Sequence, residues 1–201
     1  MAYKTSGDIG FGIKEVADVG FYEQGTVEID ETGKIVAGTP LFVLDTLKVS
    51  NIENTAEQAE AKGGKGNAPL IIWDYGREIN ITLQDAVMTM DTLSMMFEGD
   101  AKDSSNEIVI SANTFPGTYT VIGKTFARDM SGKDSLFTWY VPKAKVNSEV
   151  TLTMEAEGDP TVFDMTLRVL RDKDGSMVRL IRDEATDAKD YDALTDFEAN
   201  A

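Results

Sequence analysis

The stretch Asn67–Asp85, NAPLIIWDYGREINITLQD, decides the fold, and it follows a polar loop at Ala61–Gly66 that carries three glycines and two lysines. In its second half, Ile79, Ile81 and Leu83 fall on one face of an extended chain. The other face carries Glu78, Asn80, Thr82 and Gln84. This two-residue period predicts a half-buried strand whose polar face meets solvent or a lumen. Tyr75-Gly76-Arg77 is predicted to be the turn that joins this strand to the preceding one.

Length and composition favour one globular domain. The chain has 201 residues, of which 42% are apolar and 27% charged, so a substantial core can form. With 35 acidic against 19 basic residues, the net charge of -16 argues against a nucleic-acid-binding surface. A passage through which DNA moves without specific binding remains compatible with this charge.

The chain has no cysteine and no histidine. This excludes disulfides and thiolate metal sites, and it removes the commonest metal ligand and the commonest general base near neutral pH. We therefore expect no enzyme, no catalytic or cofactor-binding residues and no metal site. No apolar run approaches the roughly 18 residues that cross a bilayer, and the N-terminus lacks a hydrophobic signal core, which predicts a cytoplasmic protein without a membrane partner.

Two arms are predicted to flank a β domain that spans residues 26–182, and one long loop of that domain is predicted to project from it. The glycine-rich residues 1–25 are expected to form an arm that a neighbour orders, and the acidic residues 183–201 a C-terminal arm. Residues 51–66 have few apolar side chains and are predicted to project as a long loop, with a helical turn at Thr55–Ala61.

We expect this loop to contact a neighbouring subunit, since it offers polar contacts but no buried anchor. The contact residues predicted are Asn51, Glu53, Glu57, Glu60, Lys62, Gly63, Gly64, Lys65, Gly66 and Asn67.

The remaining pattern predicts strands and one short helix. Asp91 is expected to cap a helix at Thr92–Glu98 that packs through Leu93, Met96 and Phe97 and stops at Gly99. A hairpin is predicted around Thr32-Gly33, and the last strands are expected to form a three-stranded meander that turns at Asp174-Gly175. The further strands predicted are Leu41–Val49, Glu107–Ala112, Thr118–Ala127, Leu136–Val141, Val150–Glu157, Phe163–Val169 and Ser176–Arg182.

Apparent ligand motifs have simpler interpretations. The spacing of nucleotide-binding loops is absent from the glycine-rich segments Gly7–Gly12 and Gly63–Gly66. The segment Asp172–Gly175 begins like a calcium loop but lacks the third acidic ligand and the bidentate Glu, so it is interpreted as a hairpin turn. Trp73 and Trp139 lie in β patterns and are interpreted as core or interface anchors rather than ligand platforms.

Several segments together resemble the tail tube (major tail) proteins of tailed bacteriophages. They are Gly63–Asn67, Leu70–Gly76, Glu78–Asp85 with the following short helix, and the strand Asp159–Leu167 with its Asp-Gly hairpin. The resemblance implies a mainly β fold, an antiparallel β-sandwich or β-barrel with one short packing helix, a long extended loop and a terminal arm.

The same resemblance implies a structural protein of the virion tail, assembled in the host bacterial cytoplasm. It implies hexameric rings stacked into a tube that DNA passes, with tail sheath, tape measure and baseplate proteins as further partners. Two alternatives remain open: a related baseplate, tube-initiator or tail-terminator protein, and a stand-alone binding module. Images of the purified protein distinguish discrete particles from rings or tubes.

Overall fold

Two long antiparallel hairpins dominate the fold, in a computed structural model that describes residues 10–29, 35–87, 89–97, 100–101, 107–147 and 163–182. The strands are β1 (Phe11–Ile13), β2 (Asp18–Glu23), β3 (Glu28–Ile29), β4 (Ile35–Val36), β5 (Phe42–Leu44), β6 (Leu47–Gly63), β7 (Ala68–Asp85), β8 (Asp100–Ala101), β9 (Ile108–Val109), β10 (Thr118–Asp129), β11 (Asp134–Val146), β12 (Phe163–Val169) and β13 (Arg179–Arg182). Helix α1 spans Met90–Phe97. The fold is therefore mainly β, as the sequence predicts.

One nine-stranded antiparallel sheet contains both hairpins. Its strand order is β5-β2-β10-β11-β12-β7-β6, with β1 added to β10 and β13 added to β11. Two small sheets, β3-β4 and β8-β9, accompany it. The main core contains buried residues from both hairpins and from β2, β5, β12 and α1. This core lies on one face of the main sheet.

A glycine in β10 makes room for the buried tryptophan of the core. Gly123 lies directly opposite Trp139, and a Cβ atom at Gly123 would lie only 2.0 Å from the indole Cε2. Trp139 is 3% exposed. The glycine thus lets the indole lie flat against the neighbouring strand, and the interpretation of Trp139 as a core anchor is confirmed.

The other face of the β2-β10-β11 part of the sheet carries a second apolar cluster. Tyr22, Ile122 and Tyr140 are its buried centre, and residues of the β3-β4 hairpin pack against them. Burial raises the pKa of the Tyr22 hydroxyl to about 12. The predicted hairpin around residues 32–33 is confirmed by the pairing of β3 with β4, while its turn lies outside the described residues.

Helix α1 is present where a helix was predicted, but its cap and its buried face differ. The Thr92 amide donates to the Thr89 hydroxyl oxygen at 3.1 Å, so Thr89 rather than Asp91 caps the helix. The buried residues are Thr92, Met95 and Met96, whereas Leu93 is only partly buried. The predicted stop at Gly99 lies outside the described residues.

The prediction of an unstructured N-terminal arm is wrong from residue 10 onward. β1 pairs with β10, and β2 is an inner strand of the sheet in which Val19 and Phe21 are fully buried. Glycines weaken an isolated strand, but partners on both sides of β2 compensate for this. Residues 1–9 lie outside the description.

The predicted loop at residues 51–66 and the predicted turn at residues 75–77 are both wrong. β6 and β7 are two continuous strands of 17 and 18 residues, and the turn between them lies at residues 64–67. No helical turn forms at Thr55–Ala61, because this segment pairs with β7 along its whole length. Its backbone groups obtain hydrogen bonds from the partner strand, so the segment becomes regular without burying its side chains.

The other predicted strands are confirmed with changed limits or partners. β10 and β11 lie where predicted, the predicted strand at 41–49 is divided between β5 and β6, and the strand at 107–112 is reduced to β9. Gly175 adopts a positive φ of 81° at the predicted turn, but β13 then pairs with β11 rather than β12, so the predicted meander is wrong. The predicted strand at 150–157 and the arm at 183–201 lie outside the described residues.

Candidate assembly interface

The hairpin of β6 and β7 has two parts with different surroundings. In the first part, which we call the root, β7 pairs with β6 on one side and with β12 on the other. Ile79, Ile81 and Leu83 are buried in the core, as the alternation predicted. Their partners in β6 include Ile52, opposite Ile81. The root is thus an integral part of the sheet.

The pairing of β7 with β12 ends at Asn80, opposite Arg168. Beyond this point β6 is the one partner of β7 within the described ranges, and the two strands continue as a two-stranded ribbon. We call the part from Glu57 to Tyr75 the tip. The prediction that residues 51–66 project from the domain therefore holds in a different form, because a ribbon projects rather than a loop.

A bulge separates the root from the tip. Thr55 lies opposite Glu78 and Glu57 lies opposite Tyr75, so β7 contains one more residue than β6 between these pairs. Gly76 lies in the bulge with a φ of +62°, a left-handed conformation that favours glycine. Because side chains alternate along a strand, one extra residue moves the following side chains of β7 to the opposite face.

The tip therefore carries its apolar side chains on the face that is polar in the root. Ile71, Trp73 and Tyr75 lie opposite Ala61, Ala59 and Glu57, and cross-strand partners share a face. The exposed fractions of Ile71, Trp73 and Tyr75 are 60%, 49% and 51%. We call this surface, which comprises Ala59, Ala61, Ile71, Trp73 and Tyr75, the apolar tip face.

The opposite face of the tip is mainly polar. The Gln58 amide donates to the Asp74 carboxylate at 2.9 Å, and Lys62 forms an ion pair with Glu60 at 2.9 Å. Ile72 interrupts these polar side chains and is 53% exposed. The tip is thus a β ribbon with one largely apolar face and one polar face that Ile72 interrupts, and the described part of the chain provides no third layer that covers either.

The turn at the end of the tip uses residues that accept a left-handed backbone. Gly64, Gly66 and Asn67 all have positive φ, and the Asn67 amide donates to the Gly64 carbonyl at 3.2 Å. Asparagine is among the few non-glycine residues that adopt this conformation readily. These three residues reverse the chain within four positions.

The predicted contact residues are distributed over all parts of the hairpin. Asn51 and Glu53 lie in the root, whereas Glu57, Glu60 and Lys62 lie in the tip. The predicted residues of the turn are Gly63, Gly64, Lys65, Gly66 and Asn67. Gly63 is partly buried and the others are exposed. Their contact with another subunit stays a prediction.

Sequence reasoning names Trp73 as a core or interface anchor, and its exposure of 49% is inconsistent with a core position, but the other exposed apolar residues of β7 are missed. Leu70 is 68% exposed, and Ile71, Ile72, Trp73 and Tyr75 complete the set. Apolar residues occupy five of six positions here without alternation, which favours a strand buried on both faces. In the projecting ribbon, the same pattern instead gives two exposed surfaces with apolar side chains.

The four residues predicted to face solvent or a lumen lie together on the outer face of the root. Glu78 forms an ion pair with Arg168 of β12 at 3.3 Å, and the Gln84 amide donates to Asp164 of β12 at 2.9 Å. Thr82 lies opposite Thr166, and Asn80 lies opposite Arg168. All four are partly buried by these neighbours. The outer face of β6, β7 and β12 is therefore a continuous polar surface.

A charged cluster joins β10 to β11 and to Lys14, the residue after β1. The buried Asp134 carboxylate accepts hydrogen bonds from Arg128 Nε at 2.6 Å and Nη2 at 2.8 Å, and from Lys14 Nζ at 3.4 Å. The hydrogen bonds from Arg128 lower the pKa of Asp134 to about 2, with a further contribution from Lys14. The same contact raises the pKa of Arg128. The arrangement is thus a structural ion pair across β10 and β11, to which Lys14 adds a weaker contact beside β1.

Within the described ranges, no group of three or more acidic side chains is arranged to hold a metal ion. A helix of sufficient length and apolar character to cross a membrane is not found among those residues either.

Comparison with known proteins gives one family. The model of the YomU/Tube protein family matches residues 11–100 and 96–181. The matched region begins in β1 and ends in β13, so it includes both long hairpins and α1. No curated protein matches the chain. The matching family is one of structural tube proteins of phage tails.

Proposed function

Because the chain belongs to the YomU/Tube protein family, and is thus a structural protein of the phage tail tube, we propose that it forms hexameric rings that stack into this tube. The tube is the channel through which DNA is delivered. Its further partners are tail sheath, tape measure and baseplate proteins, and it assembles in the cytoplasm of the bacterial host.

The apolar tip face is the observation that carries this proposal. A two-stranded hairpin is only marginally stable by itself in water, yet this one projects with Ile71, Trp73 and Tyr75 about half exposed or more. Contiguous exposed apolar residues with aromatic members are a mark of protein interfaces. The tip is the part of the hairpin that contacts a neighbouring subunit, and its residues Glu57, Glu60, Lys62 and the turn at 63–67 take part.

The polar outer face of the root lines the channel in this proposal. Besides Asn80, Thr82 and Gln84, the faces of β6, β7, β12 and the end of β11 contribute charges of both signs. The charged residues are Glu53, Glu78, Asp164, Lys145 and Arg168. Three acidic and two basic side chains provide no continuous positive track for phosphates, so DNA passes without specific binding.

Removal of the tip tests the proposal. Replacing residues 56–77 by Asn-Gly places a two-residue turn directly after the Thr55–Glu78 pair and retains the whole pairing of β7 with β12. The shortened protein is expected to fold with a nearly unchanged thermal midpoint and to form no tubes in negative-stain images, also when seeded with tubes of the unaltered protein. The control is Lys173→Ala in the turn before β13, an exposed residue outside the hairpin, which should still polymerise.

Normal tubes from the shortened protein would overturn the assignment of the tip to the interface. Seeded unaltered protein that stops at single rings or discrete particles would favour a baseplate, tube-initiator or tail-terminator protein. Unaltered protein that stays monomeric under all seeded conditions would favour a stand-alone binding module.

A further inference from the structure

A groove lies between residues 13–17, which follow from the end of β1, and the root of the long hairpin. Its volume is about 460 Å³, equal to roughly fifteen water molecules at about 30 Å³ each. Phe137 and Trp139 of β11 line it, Ile13 and Val16 come from β1 and the following segment, and Ile52 comes from β6. The groove thus offers aromatic and aliphatic side chains from three separate parts of the fold.

The apolar tip face of the same chain cannot enter this groove. Ile52 lines the groove, whereas Trp73 lies opposite Ala59, seven residues farther along β6. At about 3.3 Å per residue this separates the two by roughly 23 Å along an extended strand. Folding the ribbon back would break the pairing between β6 and β7. One chain therefore carries two apolar surfaces that can meet only between copies.

We propose that the groove receives the apolar tip face of a second copy of this chain. This inference rests on the proposed function, since it names the surface that the tip contacts. The contact joins two different surfaces, so each copy donates its tip to one neighbour and receives the tip of another. Such heterologous contacts generate closed rings or open helical stacks.

Charge supports the same occupant. The end of the tip, residues 61–67, carries Lys62 and Lys65 and no acidic residue, in a chain whose net charge is -16. Glu15 and Lys14 both lie in the lining of the groove, and Lys14 forms an ion pair with Asp134 at 3.4 Å. The positive end of one tip is therefore attracted toward the acidic body of another copy, and this attraction weakens as salt rises.

The absence of cysteine from the chain permits a direct test. Two single variants are prepared, Ile71→Cys in the tip and Ile13→Cys in the groove, both at sites that are more than half exposed. One variant carries a size tag. The two are mixed, assembled and treated with a short bis-maleimide. Ile110→Cys, which is 60% exposed and does not line the groove, replaces Ile13→Cys in the control pair.

The expected result is a cross-linked heterodimer of about twice 22.0 kDa from the tip and groove pair, and loss of this product in the control pair.

Val16→Cys provides a second groove position, which keeps the test valid if Ile13→Cys misfolds. Tubes that form without the tip and groove product would overturn this inference and leave the proposed function intact. If neither tubes nor the product form, both are overturned. Equal cross-linking in the control pair would also contradict a specific contact with the groove.

Discussion

The root and the tip of the β6-β7 hairpin belong to the same two strands but use apolar residues in opposite ways. In the root, Ile79, Ile81 and Leu83 alternate with polar residues and are buried. In the tip, β7 carries an even more apolar sequence at residues 70–75, and these side chains are exposed on both faces. The difference therefore does not arise from composition.

The neighbouring strand makes the difference. β12 pairs with β7 only as far as Asn80, and the core of the domain lies beneath this paired region. Beyond the bulge at Gly76, no third strand and no core among the described residues support the ribbon. Apolar side chains there cannot contribute to the stability of the single chain, but they remain available to stabilise a contact with another molecule. The following predictions test this division.

The largest effect is expected for Ile81→Ala in the root. Ile81 is fully buried, so truncation should lower the free energy of unfolding by about 2–5 kcal/mol. Ile72→Ala in the tip is the matched control, and it should change this free energy by less than about 0.5 kcal/mol. Urea denaturation measures both. Equal losses would mean that the tip is as much a part of the core as the root.

A smaller effect is expected for Gly76→Ala in the bulge. An L-residue at this positive φ costs about 1–2 kcal/mol, which favours opening of the tip. Hydrogen exchange of amides at residues 57–75 should accelerate roughly 5- to 30-fold, while exchange in the root stays unchanged. Gly12→Ala is the control, because a Cβ there has no atom within 4 Å and its φ is ordinary. Acceleration throughout the sheet would contradict a separate tip.

Acid should weaken a third region, where the Asp134 carboxylate of β11 is paired with Arg128 of β10 and with Lys14, the residue after β1. The pKa of Asp134 is about 2 in the folded chain and about 3.9 in an unfolded one. The ionised Asp134 carboxylate therefore stabilises the fold fully above about pH 4, and this stabilisation is lost as the pH falls toward 2. The urea midpoint of the unaltered protein should exceed that of Asp134→Asn at pH 6, and the difference should shrink between about pH 4 and pH 2. A constant difference would show that titration of Asp134 is not linked to folding.

The smallest effect on the monomer is expected for Trp73→Ala. Since Trp73 is about half exposed and lies in the tip, the thermal midpoint should hardly change. Polymerisation should nevertheless be strongly impaired, because buried tryptophans are frequent energetic centres of interfaces. Trp73→Phe, which keeps an aromatic ring, is the conservative control. Light scattering during assembly together with differential scanning calorimetry measures the two properties on the same samples.

The sequence predicted the root better than the tip for a physical reason. The alternation at Ile79, Ile81 and Leu83 reports which face meets the core, and a local pattern suffices to read it. Gly76 predicts a turn from its sequence context, whereas the chain uses its left-handed conformation for a bulge within one strand. Residues 51–65 are rich in Ala, Glu and Asn, which have low β propensity, so the partner strand rather than the segment itself makes it a strand.

The candidate interface was only partly predictable. The position of the projecting segment and its polar residues was predicted from the lack of apolar side chains. The exposure of residues 70–75 could not be predicted, because an apolar run of this kind usually lies inside a sheet. Whether such a run is covered depends on where β12 ends, and that limit is set by a pairing between residues more than 80 positions apart.

Asp85 gives the long hairpin a mechanical anchor at its base. Its carboxylate accepts hydrogen bonds from the Thr46 hydroxyl, just before β6, and from the Val87 amide, just after β7. A force that pulls on the tip along the strands acts at right angles to the hydrogen bonds between β7 and β12, so these bonds share the load instead of opening one after another. The tip can thus transmit tension into the whole sheet.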